Sequence, residues 1–343
     1  MAGIFQFSLR PHQAWPKEDR IADIRWALSA LDPRAHLRCG GFAASDGTNV
    51  PYRLWCAKEP RAALLLLHGC CDYAGAFDEI APRLARRGFT CLAYDQRGFG
   101  ATASRGDWAG VDRMVDDAAD GVAFLRQRAG ADLPVFIVGE SMGGAVALHA
   151  AAKFPQLGIA GLVLLAPGAL AGAIRRLIYG WMARLVRAFA GDSEVVFERV
   201  SGWELTPAAA IRLLGDPLVM RSIKPEIFAG LVSLGSDAVN LANAVKIPVL
   251  TLVAGRDDVL RQACIRRLHD NLAGPKTWHV IADAPHLLLH WRRGESVLRE
   301  ARHWILNRLM AIPAAASADC ASERYAAARR RALPARPPVS PAG

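Results

Sequence analysis

The 343-residue chain lacks the long hydrophobic runs that mark membrane-spanning proteins. No apolar stretch reaches the roughly 18 residues of a spanning helix, because arginines interrupt the richest region, residues 160–190. The first ten residues do not combine a basic segment with a long apolar core, so we expect no signal peptide. These absences predict a cytoplasmic protein, and they leave peripheral contact with a membrane open.

The chain also lacks paired cysteine spacing and any nucleic-acid-binding motif. Its seven cysteines are odd in number, which favours free thiols in a reducing compartment, and adjacent Cys70 and Cys71 cannot form a C-x-x-C pair. The 42 basic residues outnumber the 32 acidic ones and give a net charge of +10. Without an accompanying motif, we interpret this charge as favouring solubility and expect no nucleic-acid partner.

What the chain does have is an alternation of apolar strands and helical stretches. Strands are predicted at residues 50–57, 62–67, 89–94, 134–138, 161–165, 248–254 and 277–281. This alternation predicts an α/β fold in which a mostly parallel central sheet is flanked by helices on both faces.

About 80 residues without strong strand signals follow the fifth predicted strand. Apolar residues recur at helical spacing in residues 169–190, which predicts a helical cap at about 168–240, either packed or mobile. The predicted organisation is an N-terminal arm (1–35), an α/β domain (36–310) and a flexible basic tail rich in proline and alanine (311–343).

The most informative motif is the G-x-S-x-G segment at residues 139–143. It follows an apolar strand and precedes a helix-prone run, which is the context of a nucleophile elbow. Gly139 and Gly143 are small enough to let the strand and helix approach each other. Ser141 would then lie at a helix N-terminus, where N–H groups and the helix dipole favour negative charge.

A serine hydroxyl needs a base to become a nucleophile, and the base should follow a later strand of the sheet. His286 lies in the loop after the strand at 277–281 and is the predicted base. His279 falls within that strand, whereas His290 lies further into the next element and stays open as an alternative.

An acidic residue must hold the histidine in one tautomer. The turn after the strand at 248–254 carries Asp257 and Asp258, and we predict Asp258 as the acid. Asp283 is a weaker candidate because it lies in the loop of the histidine itself.

The oxyanion of the reaction needs two backbone N–H donors. Met142, directly after the serine, supplies one, and Cys70, after His68-Gly69, is the predicted second. We disfavour Cys70 and Cys71 as nucleophiles because no motif places a histidine near either thiol.

Together these residues resemble the α/β-hydrolase superfamily, and within it the monoacylglycerol lipase and lysophospholipase-like branch, also called serine-aminopeptidase-like. The matching blocks are residues 64–69, 94–100, 139–144, 255–259 and 285–286, and the resemblance covers roughly residues 40 to 310. It implies an acid three residues after the strand-end glycine, which is Asp258, and an oxyanion donor after the His-Gly pair, which is Cys70.

The chain departs from that branch near the expected acyl site. Glu140 and Phe99 stand where the branch usually has histidine, and Asp72-Tyr73 replaces an acidic–histidine pair. These changes leave the predicted fold and triad intact but alter the surroundings of the acyl group.

The resemblance implies a serine hydrolase that cleaves carboxylic esters through an acyl-enzyme, with monoacylglycerol or lysophospholipid as the expected substrate. The mechanism requires no metal or organic cofactor. Alternatives are a thioesterase, a small-peptide aminopeptidase, or a non-catalytic lipid-docking module whose basic amphipathic segment lies on anionic lipid. A serine at position 141 disfavours an aspartate-nucleophile epoxide hydrolase or dehalogenase.

Overall fold

The computed structural model describes residues 7–11, 36–170, 193–197 and 204–312. The described strands, in chain order, are β1 (Phe7–Pro11), β2 (His36–Ala43), β3 (Asn49–Cys56), β4 (Ala62–Leu67), β5 (Phe89–Tyr94), β6 (Val135–Glu140), β7 (Ile159–Leu165), β8 (Ser193–Phe197), β9 (Ser222–Ile223), β10 (Val249–Ala254) and β11 (Lys276–Ile281). The described α-helices are α1 (Ala81–Ala85), α2 (Val111–Ala129), α3 (Met142–Lys153), α4 (Pro207–Gly215), α5 (Pro225–Leu241), α6 (Gln262–Asn271) and α7 (Gly294–Ala311).

Eight of these strands form one sheet in the order β11-β10-β7-β6-β4-β5-β3-β2. The strands from β11 to β5 run parallel, whereas β3 pairs antiparallel with β5 and with β2. This confirms the predicted fold class. Because the strands are parallel, the turns after β4, β6, β10 and β11 meet at one edge of the sheet.

The central strands are buried on both faces. Every residue of β4 and β6 is buried, as expected for parallel strands covered by helices on either side. Alternate residues along each strand pack into two separate hydrophobic cores: Leu65 and Ile137 belong to one, and Leu64 and Phe136 to the other. Because successive side chains of a strand point to opposite faces, one apolar run contributes to the cores on both faces of the sheet.

The helices α2, α3, α5 and α6 pack over the first of these cores, and α1 and α7 pack over the second. Helix α2 lies between its N-cap at Gly110 and its C-cap at Gly130. Both of these glycines have positive φ, which suits chain reversals at helix ends.

The segment between β7 and β10 contains α4, β9 and α5 in its described part. Strand β8 joins β1 and β9 in a separate antiparallel sheet, with β8 in the centre. The described part of this insertion therefore combines helices with short strands. None of the described helices combines the length and apolar character that crossing a membrane requires.

Some predictions fall on residues outside the described ranges. These are most of the arm, nearly all of the amphipathic segment at 169–190, and the tail from residue 313.

Strand β2 was missed because its central Cys39-Gly40-Gly41 interrupts the apolar pattern that marks a strand. Strands β1, β8 and β9 were missed as well.

Candidate active site

The turn at Ser141 has the strained geometry that a nucleophile elbow requires. Ser141 has φ 52° and ψ −115°, and α3 begins at the next residue. A positive φ is unusual for a residue with a side chain, and such strain is held by the surrounding structure. Here Ser141 N–H donates to Leu165 O at 2.9 Å, and Ser141 O accepts from Gly168 N–H at 2.7 Å.

Close backbone contacts explain the two predicted glycines of the elbow. A Cβ atom at Gly139 would lie 2.4 Å from Gly143 O, and one at Gly143 would lie 2.2 Å from Leu67 O. No side-chain movement could relieve either clash, because the contacted atoms belong to the backbone. Gly143 thereby allows α3 to pass directly over the end of β4.

The structure brings His286 to Ser141. Nε2 of His286 is 2.9 Å from Ser141 Oγ, and Nδ1 is 2.9 Å from Asp257 Oδ2. A carboxylate only accepts hydrogen bonds, so the Nδ1 atom carries the proton and Nε2 is left to accept from the serine hydroxyl. Burial alone would lower the pKa of His286, but Asp257, Glu140 and Asp258 outweigh it and raise the pKa.

The prediction of Asp258 as the acid is wrong in this structure. The carboxylate that contacts His286 belongs to Asp257, whose side chain is fully buried, whereas Asp258 is exposed. Asp257 Oδ1 accepts N–H bonds from Val259 at 2.9 Å and Leu260 at 2.7 Å. These bonds form an Asx-type turn that points the other oxygen at the histidine.

Glycine at position 255 allows the two loops to meet. A Cβ there would lie 2.1 Å from Ala282 O. Gly255 N–H donates to Ile281 O, and Arg256 N–H donates to Ala284 O. The turn after β10 is thus bonded to the loop after β11, which brings Asp257 next to His286.

The other histidines considered from the sequence lie elsewhere. His279 is half exposed on β11 and pairs with Glu300 at 3.0 Å. His68 is fully buried: Nε2 accepts from Gln96 N–H at 2.9 Å, so Nδ1 donates to Gly69 O at 2.8 Å. Both therefore have structural partners. Asp283 is an exposed residue that pairs with Arg293.

The loop after β4 lies against the elbow, as the predicted oxyanion arrangement requires. A Cβ at Gly69 would lie 3.5 Å from Ser141 Cβ, and Asp72 N–H closes the turn onto Gly69 O. Among the described residues, the N–H groups of Cys70 and Met142 have no hydrogen-bond acceptor. Cys70 as the second donor stays a prediction that this geometry favours.

A buried polar cluster beside the triad was not predicted. Glu140 Oε1 accepts from Leu289 N–H at 3.1 Å, and its Oε2 is 3.5 Å from His290 Nε2. The same Nε2 is 3.4 Å from Arg212 Nη2, and Arg212 forms an ion pair with Asp72. We call Glu140, His290, Asp72 and Arg212 the Glu140 cluster.

The Glu140 cluster and its neighbours join the inserted segment to the oxyanion loop. Besides the pair between Arg212 of α4 and Asp72, the Tyr73 hydroxyl donates to Asp216, and Met220 N–H donates to Cys71 O at 2.8 Å. No sequence pattern marks these contacts, because partners such as Asp72 and Arg212 are 140 positions apart. In the described part of the chain, no three His, Cys, Asp or Glu residues are grouped to hold a metal ion.

Comparisons with known proteins show what this chain is similar to. The family model described as Hydrolase_4, serine aminopeptidase, S33 matches residues 58–291, which span the elbow, both later loops and the inserted segment. Among curated relatives, a monoacylglycerol lipase from Mycolicibacterium smegmatis is 24% identical over 78% of this chain and 96% of its own length. A monoglyceride lipase from Mus musculus is 28% identical over 80% of this chain and 91% of its own.

Solved structures show the same fold. A soluble variant of the monoglyceride lipase from Saccharomyces cerevisiae, in complex with a substrate analogue, has a TM-score of 0.67 at 18% identity. It covers 86% of this chain and 99% of its own. A carboxyl esterase from Bacillus coagulans has a TM-score of 0.66 at 18% identity, covering 80% of this chain and 99% of its own. The chain therefore belongs to the Hydrolase_4 family of α/β-hydrolases, on its monoacylglycerol lipase-like branch, and is a carboxylic-ester hydrolase.

Proposed function

We propose that this enzyme hydrolyses lipid-like esters with Ser141 as nucleophile, His286 as base and Asp257 as the orienting acid. The observation that carries the proposal is the continuous chain of contacts from Ser141 Oγ through His286 to Asp257, each at 2.9 Å. The strained elbow supports it, because it presents the serine at the N-terminus of α3.

In the acylation step, Ser141 Oγ attacks the ester carbonyl carbon while His286 Nε2 takes the hydroxyl proton. Asp257 stabilises the resulting imidazolium through Nδ1–H. The N–H groups of Cys70 and Met142 would hold the oxyanion, each contributing roughly 3 kcal/mol of transition-state stabilisation. The carbon–oxygen bond to the alcohol then breaks, and Nε2–H protonates the departing alkoxide.

In the deacylation step, a water molecule replaces the alcohol. His286 removes its proton as it attacks the acyl-enzyme, and the bond between the acyl carbon and Ser141 Oγ breaks. The carboxylic acid leaves, the serine recovers its proton, and the enzyme returns to its starting state. Every proton passes through Nε2. The hydrogen bond between Nδ1 of His286 and Asp257 supports this, because it leaves Nε2 for the proton transfers.

The proposed substrate is a monoacylglycerol, with a lysophospholipid as the related second choice. Similarity over most of this chain to two proteins named as monoacylglycerol or monoglyceride lipases supports this choice. Contact with a lipid surface belongs to the same proposal. Ile211 and Leu214 of α4 are 73% and 60% exposed, so α4 presents apolar side chains to the outside of the described structure.

A fluorophosphonate probe tests the nucleophile, and Ser233→Ala provides a matched control for the loss of a serine. Wild type and Ser233→Ala are expected to label, and Ser141→Ala is not. Labelling that persists in Ser141→Ala, or its absence from wild type, would contradict the proposal.

A substrate series tests the ester class. The kcat/KM for hydrolysis of monoacylglycerols should exceed that for lysophospholipids, short p-nitrophenyl esters, acyl thioesters and aminoacyl amides. Preference for a thioester or an aminoacyl amide would replace the proposed substrate and keep the nucleophile. Vesicle binding by wild type without any hydrolysis would instead favour a lipid-docking module.

A further inference from the structure

Glu140 connects the nucleophile elbow to the loop that carries the base. It is the last residue of β6, directly before Ser141, and its side chain is 3% exposed. Both carboxylate oxygens reach the loop at 286–291: Oε1 accepts from Leu289 N–H at 3.1 Å, and Oε2 lies 3.5 Å from His290 Nε2. One buried side chain therefore fixes the distance between Ser141 and the loop of His286.

The charges around Glu140 do not cancel. The groups that face it are His286 and His290 from the loop after β11, Asp72 from the loop after β4, and Arg212 from α4. Burial and the nearby Arg212 lower the pKa of His290 to about 3, so this imidazole is neutral near pH 7. The pair of Asp72 and Arg212 is neutral in sum, which leaves an ionised Glu140 as the surplus negative charge.

We propose that Glu140 is a positioning residue for His286: it holds the 286–291 loop against the elbow, and its charge stabilises the imidazolium that forms during acylation. This inference rests on the proposed function, because it concerns the proton that His286 takes from Ser141. Glu140 touches neither the serine hydroxyl nor the ester in this mechanism. It acts through Leu289, His290 and the electric field at His286.

The titration of Glu140 supports this arrangement. Burial raises its pKa from 4.5 to about 7, although Leu289 N–H, His286 and Arg212 act in the opposite direction. Position 140 therefore carries a carboxylate although burial makes its ionisation unfavourable. Glu140 gains its negative charge over the neutral pH range, in which a histidine base works best.

The test compares the pH dependence of p-nitrophenyl butyrate hydrolysis in wild type, Glu140→Gln and Glu140→Asp. Glutamine keeps an oxygen for Leu289 N–H and removes the charge, whereas aspartate keeps the charge and shortens the reach. Asp117→Asn is the matched control, because Asp117 is an equally buried carboxylate whose partners are Arg97 and Arg113. Titration with the fluorophosphonate probe gives the rate per active site, so loss of folded protein does not enter.

In Glu140→Gln we expect kcat to fall about tenfold with KM within about twofold, and the acidic midpoint of kcat/KM to drop by about half a pH unit. The midpoint falls because a nearby negative charge that raises the pKa of His286 is gone. Glu140→Asp should lower kcat and keep the wild-type midpoint. Asp117→Asn should keep the wild-type kcat and midpoint.

A wild-type kcat and midpoint in Glu140→Gln would overturn the inference, since a merely structural role alters the yield of active sites and nothing else. If that variant does not fold, a wild-type kcat in Glu140→Asp would overturn it instead. The proposed function fails separately, through a wild type that does not label or a Ser141→Ala variant that still hydrolyses the ester.

Discussion

Two sets of charged side chains in this enzyme, one partly exposed and one buried, follow opposite rules. In the first, Arg97 binds Asp117 through Nε and Nη2 at 2.8 Å each and also binds Asp46 at 2.8 Å, while Arg113 binds Asp117 and Asp120. We call this set the Arg97 cluster. In the Glu140 cluster, the carboxylate of Glu140 receives one backbone N–H and faces a neutral imidazole. The first set stabilises the fold, whereas the second places charge where the chemistry needs it.

The pKa shifts of the two clusters have opposite consequences. The hydrogen bonds that Arg97 donates to Asp117 raise the pKa of Arg97. Burial acts to raise the pKa of Asp46, but pairing with Arg97 outweighs it and lowers that pKa. Asp46 therefore stabilises the native state above its unfolded pKa, and this contribution is lost as the pH falls. The raised pKa of Glu140 has the reverse effect, because its ionisation destabilises the native state as the pH rises.

The largest expected effect comes from Asp257→Asn in the triad. The amide can donate to Nδ1 and favour the wrong tautomer, so kcat/KM should fall by about 10³ to 10⁴ with little change in the free energy of unfolding. Any residual activity should have its acidic midpoint at lower pH, since Asp257 raises the pKa of His286. Ester hydrolysis per folded molecule, with urea unfolding alongside, measures both quantities. A loss below about tenfold would contradict the assignment of Asp257.

Asp117→Asn should reverse that pattern. It removes the carboxylate shared by Arg97 and Arg113, whose exposed fractions are 11% and 21%, and breaking such a pair costs about 3 kcal/mol of unfolding free energy. The rate per titrated active site should not change. Urea unfolding at pH 7 checks the first statement. If Asp117→Asn unfolds at the wild-type urea concentration, the Arg97 cluster does not have the structural role assigned to it.

Glu140→Gln should gain stability relative to wild type as the pH rises from about 4.5 to about 7. In that window the native state of wild type binds more protons than the unfolded state, so its unfolding free energy falls. The shift of the Glu140 pKa from 4.5 to about 7 corresponds to about 3 kcal/mol. Urea unfolding of both proteins across this range measures the difference.

Asp46→Asn is the control of opposite sign. The unfolding free energy of Asp46→Asn should fall below that of wild type as the pH rises above the acid range, because Asp46 stabilises the native state when ionised. A difference between Glu140→Gln and wild type that does not vary with pH would show that Glu140 is not buried as an ionisable group.

The fold was predictable where one physical factor decided the structure. The bounds of β4 and β5 match the predicted ranges, because apolar runs buried on both faces have no other favourable environment. Strand β2 was not predictable in this way, since it lies at the edge of the sheet, carries two glycines and is largely exposed. Its place depends on pairing with β3 and not on its own residues.

The site was predictable to the level of loops but not of side chains. Ser141 and His286 come together because the ends of parallel strands meet at one edge, which the chain order reveals. The choice between Asp257 and Asp258 depends on which side chain closes a turn on Val259 and Leu260. Spacing from a strand end does not decide between the two aspartates. An aspartate can accept hydrogen bonds from the backbone N–H groups two and three residues later, and this local pattern is a signal that favours Asp257.

The smallest expected effect is that of Asp258→Asn, which completes the comparison from outside both clusters. Asp258 is exposed, so its attraction for the His286 imidazolium acts largely through solvent and is screened by salt. We therefore expect kcat/KM within about threefold of wild type and an acidic midpoint within about 0.3 pH unit, a difference that vanishes in about 0.5 M salt. The same ester assay measures it. A loss comparable to that of Asp257→Asn would mean that the turn after β10 presents Asp258 to His286 during catalysis. The single Nδ1–H bond seen here can explain a large effect of only one of the two adjacent aspartates.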